Sequence, residues 1–324
     1  MGSISAIKSK ATAWLHRSHA PLRHILERQT VMQALTLARH NRALSSLHDL
    51  SEVEFSAFSQ WGEDGIIDWL VSRVPDIPKT FIEFGVENYR ESNTRLLLQL
   101  RNWRGLVMDG SADHIGDIRS QDIYWRHGLT AKCAFIDRDN INRLLEDGGM
   151  VGPVGLLSVD IDGNDYWVWK SIEVVSPGIV VAEYNAVFGD IHPLTVPYRD
   201  DFQRTQAHHS NLYFGASLPA LIQLGGQKGY TFVGTTSTGC NAFFVRDDLA
   251  AKVTQALSNS WGYPSHVREA RDENGNLLFL DGAARAKQIA YLPLVNPQTG
   301  AQTSLAECGE LYSESWKTGQ RALI

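Results

Sequence analysis

Apolar positions recur along this chain first at helical and then at strand spacing. Ile4, Ile7, Ala11, Trp14 and Leu15, then Leu22, Ile25 and Leu26, then Met32, Leu35, Leu37 and Ala38 predict helices over 4–48, broken near Pro21. Ile66, Ile67, Leu70 and Val71 form the next helical face, after the polar start Gln60-Trp-Gly-Glu-Asp64. From Thr80 the pattern changes. Short apolar runs at Thr80–Val86, Gly105–Met108, Ala134–Ile136, Val154–Val159 and Gly178–Ala182 read as strands. Helical stretches at Thr94–Leu100, at Asn140–Leu145 and after Gly163 alternate with them. Strand, glycine-bearing loop, helix and strand predict an α/β fold, a Rossmann-like sheet with helices on both faces. A helix at Ser217–Lys228 then leads into strands at Tyr230–Val233 and Ala242–Arg246, an antiparallel hairpin that closes the sheet edge.

The pattern divides the chain into a helical extension over 1–50, a core over 51–246 and a less regular extension or lid over 247–324. Between Asn185 and Asn211 lies a long polar stretch whose aromatic residues Phe188, Tyr198 and Phe202 predict a folded loop. With 43% hydrophobic and 20% charged residues the 324-residue chain can bury a sizeable core. A formal net charge of -6 argues against a nucleic-acid partner. Residues 1–50 run the other way, with Lys8, Lys10, Arg17, Arg23, Arg28, Arg39 and Arg42 against Glu27 and Asp49. A basic amphipathic helix of this kind packs on its own domain or on a second copy in a homo-oligomer, or lies peripherally on an anionic membrane. Cys133, Cys240 and Cys308 lack metal or disulfide spacing, and no apolar run reaches the ~18–20 residues of a membrane span, so a cytoplasmic protein is expected.

The candidate chemistry sits at strand ends. The run Val154–Val159 delivers Asp160 and Asp162, after which Gly163 and Asn164 turn the chain into a helix. A neighbouring run would bring Glu183 and the amide oxygen of Asn185 to the same rim. Oxygen ligands converging outside the carboxyl ends of strands predict a hard dication, Mg²⁺ or Mn²⁺. Glu83 and Asp109, near the ~20-residue step over which such folds place a ribose-binding acid, frame a nucleotide pocket. Gly85 lets a ligand approach the backbone there, and Asp109 can accept from a ribose diol.

Ser59-Gln-Trp-Gly-Glu-Asp64, Phe81-Ile-Glu-Phe-Gly85, Ser92-Asn-Thr94, Trp103-Arg-Gly-Leu-Val-Met-Asp-Gly110 and Val159-Asp-Ile-Asp-Gly163 together resemble the FkbM-type S-adenosylmethionine-dependent methyltransferases, over roughly residues 55–246. The resemblance implies that Gln60, Glu83, Gly85, Asn93 and Asp109 surround the cofactor, with Glu63 and Gly110 beside them in the same motifs and Asp137 after the Ala134–Ile136 run. Glu87 and Asn88 stand where that family has a second glycine. Asp162-Gly-Asn-Asp-Tyr166, followed by a strand ending in an acid, is similar to a segment of metal-dependent sugar O-methyltransferases of macrolide and aminocoumarin pathways. This second resemblance implies that Asp162 and Glu183 ligate the metal and that the acceptor is a sugar hydroxyl in a glycan, glycolipid or sugar-bearing metabolite. The position that bears the base in those enzymes is Asn164 here, which leaves Asp160, His208 and His209 as candidates. Trp167, Trp169, Tyr184, Phe188 and Tyr213 are core aromatics first and sugar-stacking platforms second. Two other readings compete: a metal-dependent glycosyltransferase built on Asp160-x-Asp162, and a methyltransferase-like module that binds without catalysis.

Overall fold

The computed structural model describes residue 22 and residues 25–323, and the helical expectations for residues 4–21 lie outside the described residues. A seven-stranded sheet runs through the molecule: β1 (Thr80–Phe84), β2 (Arg104–Asp109), β3 (Leu129–Cys133), β4 (Gly152–Val159), β5 (Val175–Glu183), β6 (Tyr230–Thr235) and β7 (Asn241–Arg246). Their order is β3-β2-β1-β4-β5-β7-β6. The first five are parallel, β7 is antiparallel to β5, and β6 is antiparallel to β7. The hairpin therefore joins the sheet through its second strand and leaves β6 at the edge. The helices in chain order are α1 (residues 25–43), α2 (Glu63–Arg73), α3 (Arg95–Arg101), α4 (Ala112–Ser120), α5 (Asp122–Arg126), α6 (Ile141–Asp147), α7 (Asp165–Ser171), α8 (Arg204–Ala207), α9 (Leu218–Gln227), α10 (Asp247–Thr254), α11 (Gly282–Gln288) and α12 (Glu314–Lys317).

Period-two alternation sends Phe81, Val107, Leu156 and Ile179 to one face, into a core with α2, α3, α4 and α10. Ile82, Leu106, Leu157 and Val180 go to the other, against α6, α7 and α9. Strands covered on both faces read as unbroken apolar runs, which is why β4 and β5 were legible. Each fully buried aliphatic side chain contributes roughly 1.5–3 kcal/mol, and a one-residue slip would exchange whole faces, so the register is tightly held. In that register Val159 pairs with Ala182, which sets Asp160 beside Glu183.

The strand expected at Ala134–Ile136 is displaced to Leu129–Cys133. As an edge strand β3 solvates Thr130 and Cys133 and offers few apolar positions, whereas Phe135 and Ile136 lie beyond its end and line a cavity. Helix α1 packs on its own domain through the small residues Ala34 and Ala38 and through Asn41, which donates to the Val53 carbonyl at 2.8 Å. Arg42 pairs with Asp68 and Glu27 with Arg95. No helix of the described residues is long and apolar enough to cross a membrane.

Residues 185–214 fold as expected for an aromatic-bearing loop. Val187, Phe188, Leu194, Val196, Phe202 and Phe214 share a third core with Ala270, Ala286, Ile289 and Leu294 of the C-terminal extension. This cap covers the carboxyl ends of the strands, and Ser265, Val267 and Glu269 become walls of the cleft beneath it.

Candidate active site

The sheet reverses its direction of growth between β1 and β4, and ligands of open α/β sheets bind outside the strand ends at such a switch point. Two cavities of 310 Å³ and 210 Å³ open there and share Gly85, Glu87, Asp160 and Asp162. Gly85 leaves β1 at φ +67°, and a Cβ on it would meet the Asp160 carbonyl oxygen at 1.8 Å. Glu87 follows at φ 45°, in the left-handed region that favours glycine. This accounts for the missing second glycine: Glu87 adopts the glycine-like turn and its N–H donates to Asp109 Oδ2 at 2.8 Å.

Asp109 also takes the N–H of Ser111 and contacts His114 Nδ1. It lines the smaller cavity with Met108, Gly110, Phe135 and Ile136, an acid at one side of an apolar slot. Glu83 has a different role. Its buried carboxylate accepts from Ser92 Oγ at 2.6 Å, Asn93 N at 2.8 Å, Thr94 N at 3.1 Å and Thr94 Oγ1 at 2.5 Å. It rivets the loop after β1, and burial raises its pKa against those bonds. Asn93, fixed by that rivet, donates to Ser158 Oγ, and Asn93 and Gln60 line the larger cavity. Glu63 is buried there, accepting from Trp61 N and Asn241 Nδ2.

The acids at the switch point form a cluster. One carboxylate oxygen from each of Asp160, Asp165 and Glu183 lies within 4.8 Å of the other two. Glu183 Oε2 is buried without a hydrogen-bond partner. Burial first, then Asp162, Asp165 and Glu83, raises the pKa of Asp160 well above the carboxylate range. Burial and then Asp160 and Asp162 do the same to Glu183. Asp165 is pushed up to about 6 by burial, against the N–H groups of Ile161 and Gly163 that its carboxylate accepts. Three carboxylates this close, one with an orphaned oxygen, are a donor set that fits a hard dication.

The structure corrects several assignments. Asp165, in the first turn of α7 behind the N-cap Asn164, takes the N–H groups of Ile161 and Gly163 and joins the cluster. Asp162 turns away from the set: at φ 55° its Oδ1 accepts from Arg204 Nη1 at 2.6 Å. The Asp160-x-Asp162 pair therefore does not form one ligand set. Asn185 spends its amide on Val187 N and on the carbonyls of Leu212 and Phe214. Asp137 lines neither cavity and accepts from Asp139 N, Asn140 N and Asn140 Nδ2 at the start of α6. His208 and His209 lie outside both cavities, with His208 bonded to Ser210 Oγ and Tyr291 OH. Trp169, Phe188 and Tyr213 are core residues and Trp167 donates to the Val196 carbonyl, while Tyr184 lines the cleft.

Arg204 was not flagged by the sequence. It pairs with Asp162 and Glu269, donates Nε to the Asn211 carbonyl at 2.8 Å and lies 3.7 Å over the Phe214 ring. Its charge opposes the raised pKa values of Asp160 and Glu183. A single arginine at the start of a four-residue helix has no periodicity to mark it, whereas Asp160 and Glu183 were readable as acids at the ends of neighbouring apolar runs.

No family model and no curated protein matches the sequence. Among solved structures, an O-methyltransferase from Bacillus cereus in complex with SAH aligns at 14% identity, covering 67% of this chain and 91% of that one, with a TM-score of 0.38. A putative O-methyltransferase from Klebsiella pneumoniae aligns at 14% identity over 72% of this chain and 99% of that one, TM-score 0.37. The N-terminal domain of EvdMO1, in the presence of SAH and D-fucose, aligns at 8% identity over 69% and 96%, TM-score 0.37. At such scores, what the molecule does has to be read from its own residues.

Proposed function

We propose that this protein is an enzyme that transfers a methyl group from S-adenosylmethionine to a hydroxyl of a carbohydrate, in a glycan, glycolipid or sugar-bearing metabolite, with a divalent cation at the acid cluster. The observation that carries the reading is the juxtaposition of Asp160 and Glu183, which line the larger cavity with Asp165 buried within 4.8 Å of both, with the Gly85–Glu87 turn where the two cavities share Asp160. The smaller cavity suits an adenosine: Asp109 faces a ribose diol, and Met108, Phe135 and Ile136 offer apolar walls. Gly85 lets the β1 turn pack against the Asp160 carbonyl at the shared edge of the two cavities, and Glu83 keeps Ser92, Asn93 and Thr94 in place beside it.

Asp160, Asp165 and Glu183 would hold Mg²⁺ or Mn²⁺. When bound, such an ion lowers the pKa of a coordinated hydroxyl, a weak nucleophile near neutral pH. The remaining work belongs to the chain. Of the three base candidates Asp160 alone lines the cavity, which supports assigning the acceptor's proton to it. Arg204 holds Asp162 out of the cluster and partly offsets its charge. The cap residues Ser265, Val267 and Glu269 wall the cleft and would orient an acceptor there.

Calorimetric titration with S-adenosylhomocysteine, with and without Mg²⁺, tests the reading. Micromolar binding of the nucleoside together with an Mg²⁺-dependent transfer of radiolabelled methyl to a glycoside panel is expected. Stabilisation by a nucleoside diphosphate with Mn²⁺, and none by S-adenosylhomocysteine, would replace it with glycosyl transfer.

A further inference from the structure

Arg285, on α11, is 4% exposed and lines the same cavity as Asp160 and Glu183. Its Nη1 donates to the Val267 carbonyl at 2.8 Å and its Nη2 to the Ser265 carbonyl at 2.7 Å, while Nε has no partner. A guanidinium carries five N–H donors, so three remain beyond those two bonds. Among the described residues no carboxylate forms an ion pair with Arg285. The contrast with Arg204 is sharp: that guanidinium is paired with both Asp162 and Glu269.

Burial holds the pKa of Arg285 down, opposed through space by Tyr312 and Cys240 and then by Glu269 and Asp281, neither of which forms an ion pair with it. A buried cation facing a cavity without a counter-ion is costly unless a ligand brings one. The planar fork suits a carboxylate, which can accept two parallel N–H bonds. A single uncompensated charge among several carboxylates balances a monoanion, whereas a dianionic phosphate would add a second negative charge near Glu269.

The position within the fold says which molecule brings that anion. Arg285 closes the cleft beside Gly239 and Cys240, at the entry to β7, and is absent from the smaller cavity. Gly85 follows β1, and β4 and β5 separate β1 from β7. Three strand spacings put about 14 Å between β1 and β7, so Arg285 lies away from the Asp109 cavity, toward the part of the cleft left for the acceptor.

We propose that Arg285 anchors a carboxylate of the acceptor, so that the sugar is an acidic one of the uronic acid class. This rests on the carbohydrate reading above. The test is calorimetric binding of methyl β-D-glucuronide and methyl β-D-glucoside to the full chain, with Mg²⁺ and with and without S-adenosylhomocysteine. Wild-type protein is expected to bind the glucuronide at least ten-fold more tightly, and Arg285→Gln to bind the two alike while keeping its affinity for S-adenosylhomocysteine. Equal binding of the two glycosides by wild type, or a preference that survives in Arg285→Gln, overturns the proposal. So does tighter binding of glucose 6-phosphate than of the glucuronide. A loss of S-adenosylhomocysteine affinity in Arg285→Gln would assign the anchored carboxylate to the cofactor instead and overturn it too. If Arg285→Gln fails to fold, the wild-type comparison decides. Failure of the methyl-transfer reading shows separately, as a wild-type protein that prefers the glucuronide yet binds no S-adenosylhomocysteine.

Discussion

Replacing Glu183 with glutamine should make the metal-free protein more stable and abolish its response to Mg²⁺. In the wild type Oε2 is buried without a partner, and a carboxylate oxygen of Glu183 lies within 4.8 Å of Asp160 and Asp165. When both are ionised, like charges no more than 4.8 Å apart repel by about 3.5 kcal/mol or more at an effective dielectric constant of ~20. A glutamine removes one of those charges and offers an N–H₂ group that Asp160 can accept. For a chain of this size each kcal/mol moves the melting temperature by about 2 °C, so Glu183→Gln should melt about 5–7 °C higher at pH 8 in EDTA. Saturating Mg²⁺ should reverse the order: at 100 times the dissociation constant the wild type gains about 2.7 kcal/mol and the variant gains almost nothing. The pH dependence has a fixed sign. Asp165 titrates at about 6 in the fold against an ordinary 3.8, so the folded state holds the extra proton between those values. The Asp165 contribution to stability therefore falls as pH rises through that window, by about 3 kcal/mol. Below pH 3.8 the penalty is absent and above about 6 it is complete. Differential scanning fluorimetry across pH and Mg²⁺ reads all of this. A variant that melts no higher than wild type in EDTA, or one that gains as much from Mg²⁺, would refute the shared-charge argument.

Gly85→Ala forces a Cβ to 1.8 Å from the Asp160 carbonyl at φ +67°, so nucleoside affinity should fall at least ten-fold and the melting temperature should drop; titration with S-adenosylhomocysteine checks it. Glu83→Gln turns an amide N–H₂ toward donors that now face a carboxylate, leaving about two of them unsatisfied at roughly 1–3 kcal/mol each. Urea unfolding should register a loss of about 3 kcal/mol. His209→Ala, outside both cavities, should keep methyl-transfer activity within about two-fold; a hundred-fold loss would return the base to that loop.

Much of the fold was legible because central parallel strands are covered on both faces. Val154–Val159 and Gly178–Ala182 are unbroken apolar runs for that reason, and their neighbouring register could be expected. Edge strand β3 was misplaced because one of its faces is solvated and its apolar signal is weak. The acids of the cluster were visible as residues, but their division of labour was not. Asp162 and Asp165 are three positions apart, and nothing in that spacing says that one meets Arg204 while the other meets Glu183.

Local chemistry thus fixed where the acids leave the sheet, since hydrophobic periodicity and a glycine turn act within a few residues. Which carboxylates converge, which arginine is neutralised and which is left facing the cleft depend on segments far apart in sequence. Arg204 finds Glu269 and Arg285 reaches the carbonyls of Ser265 and Val267 when the cap folds over the strand ends. Those meetings follow from the packing of a third core, whose partners no local pattern encodes.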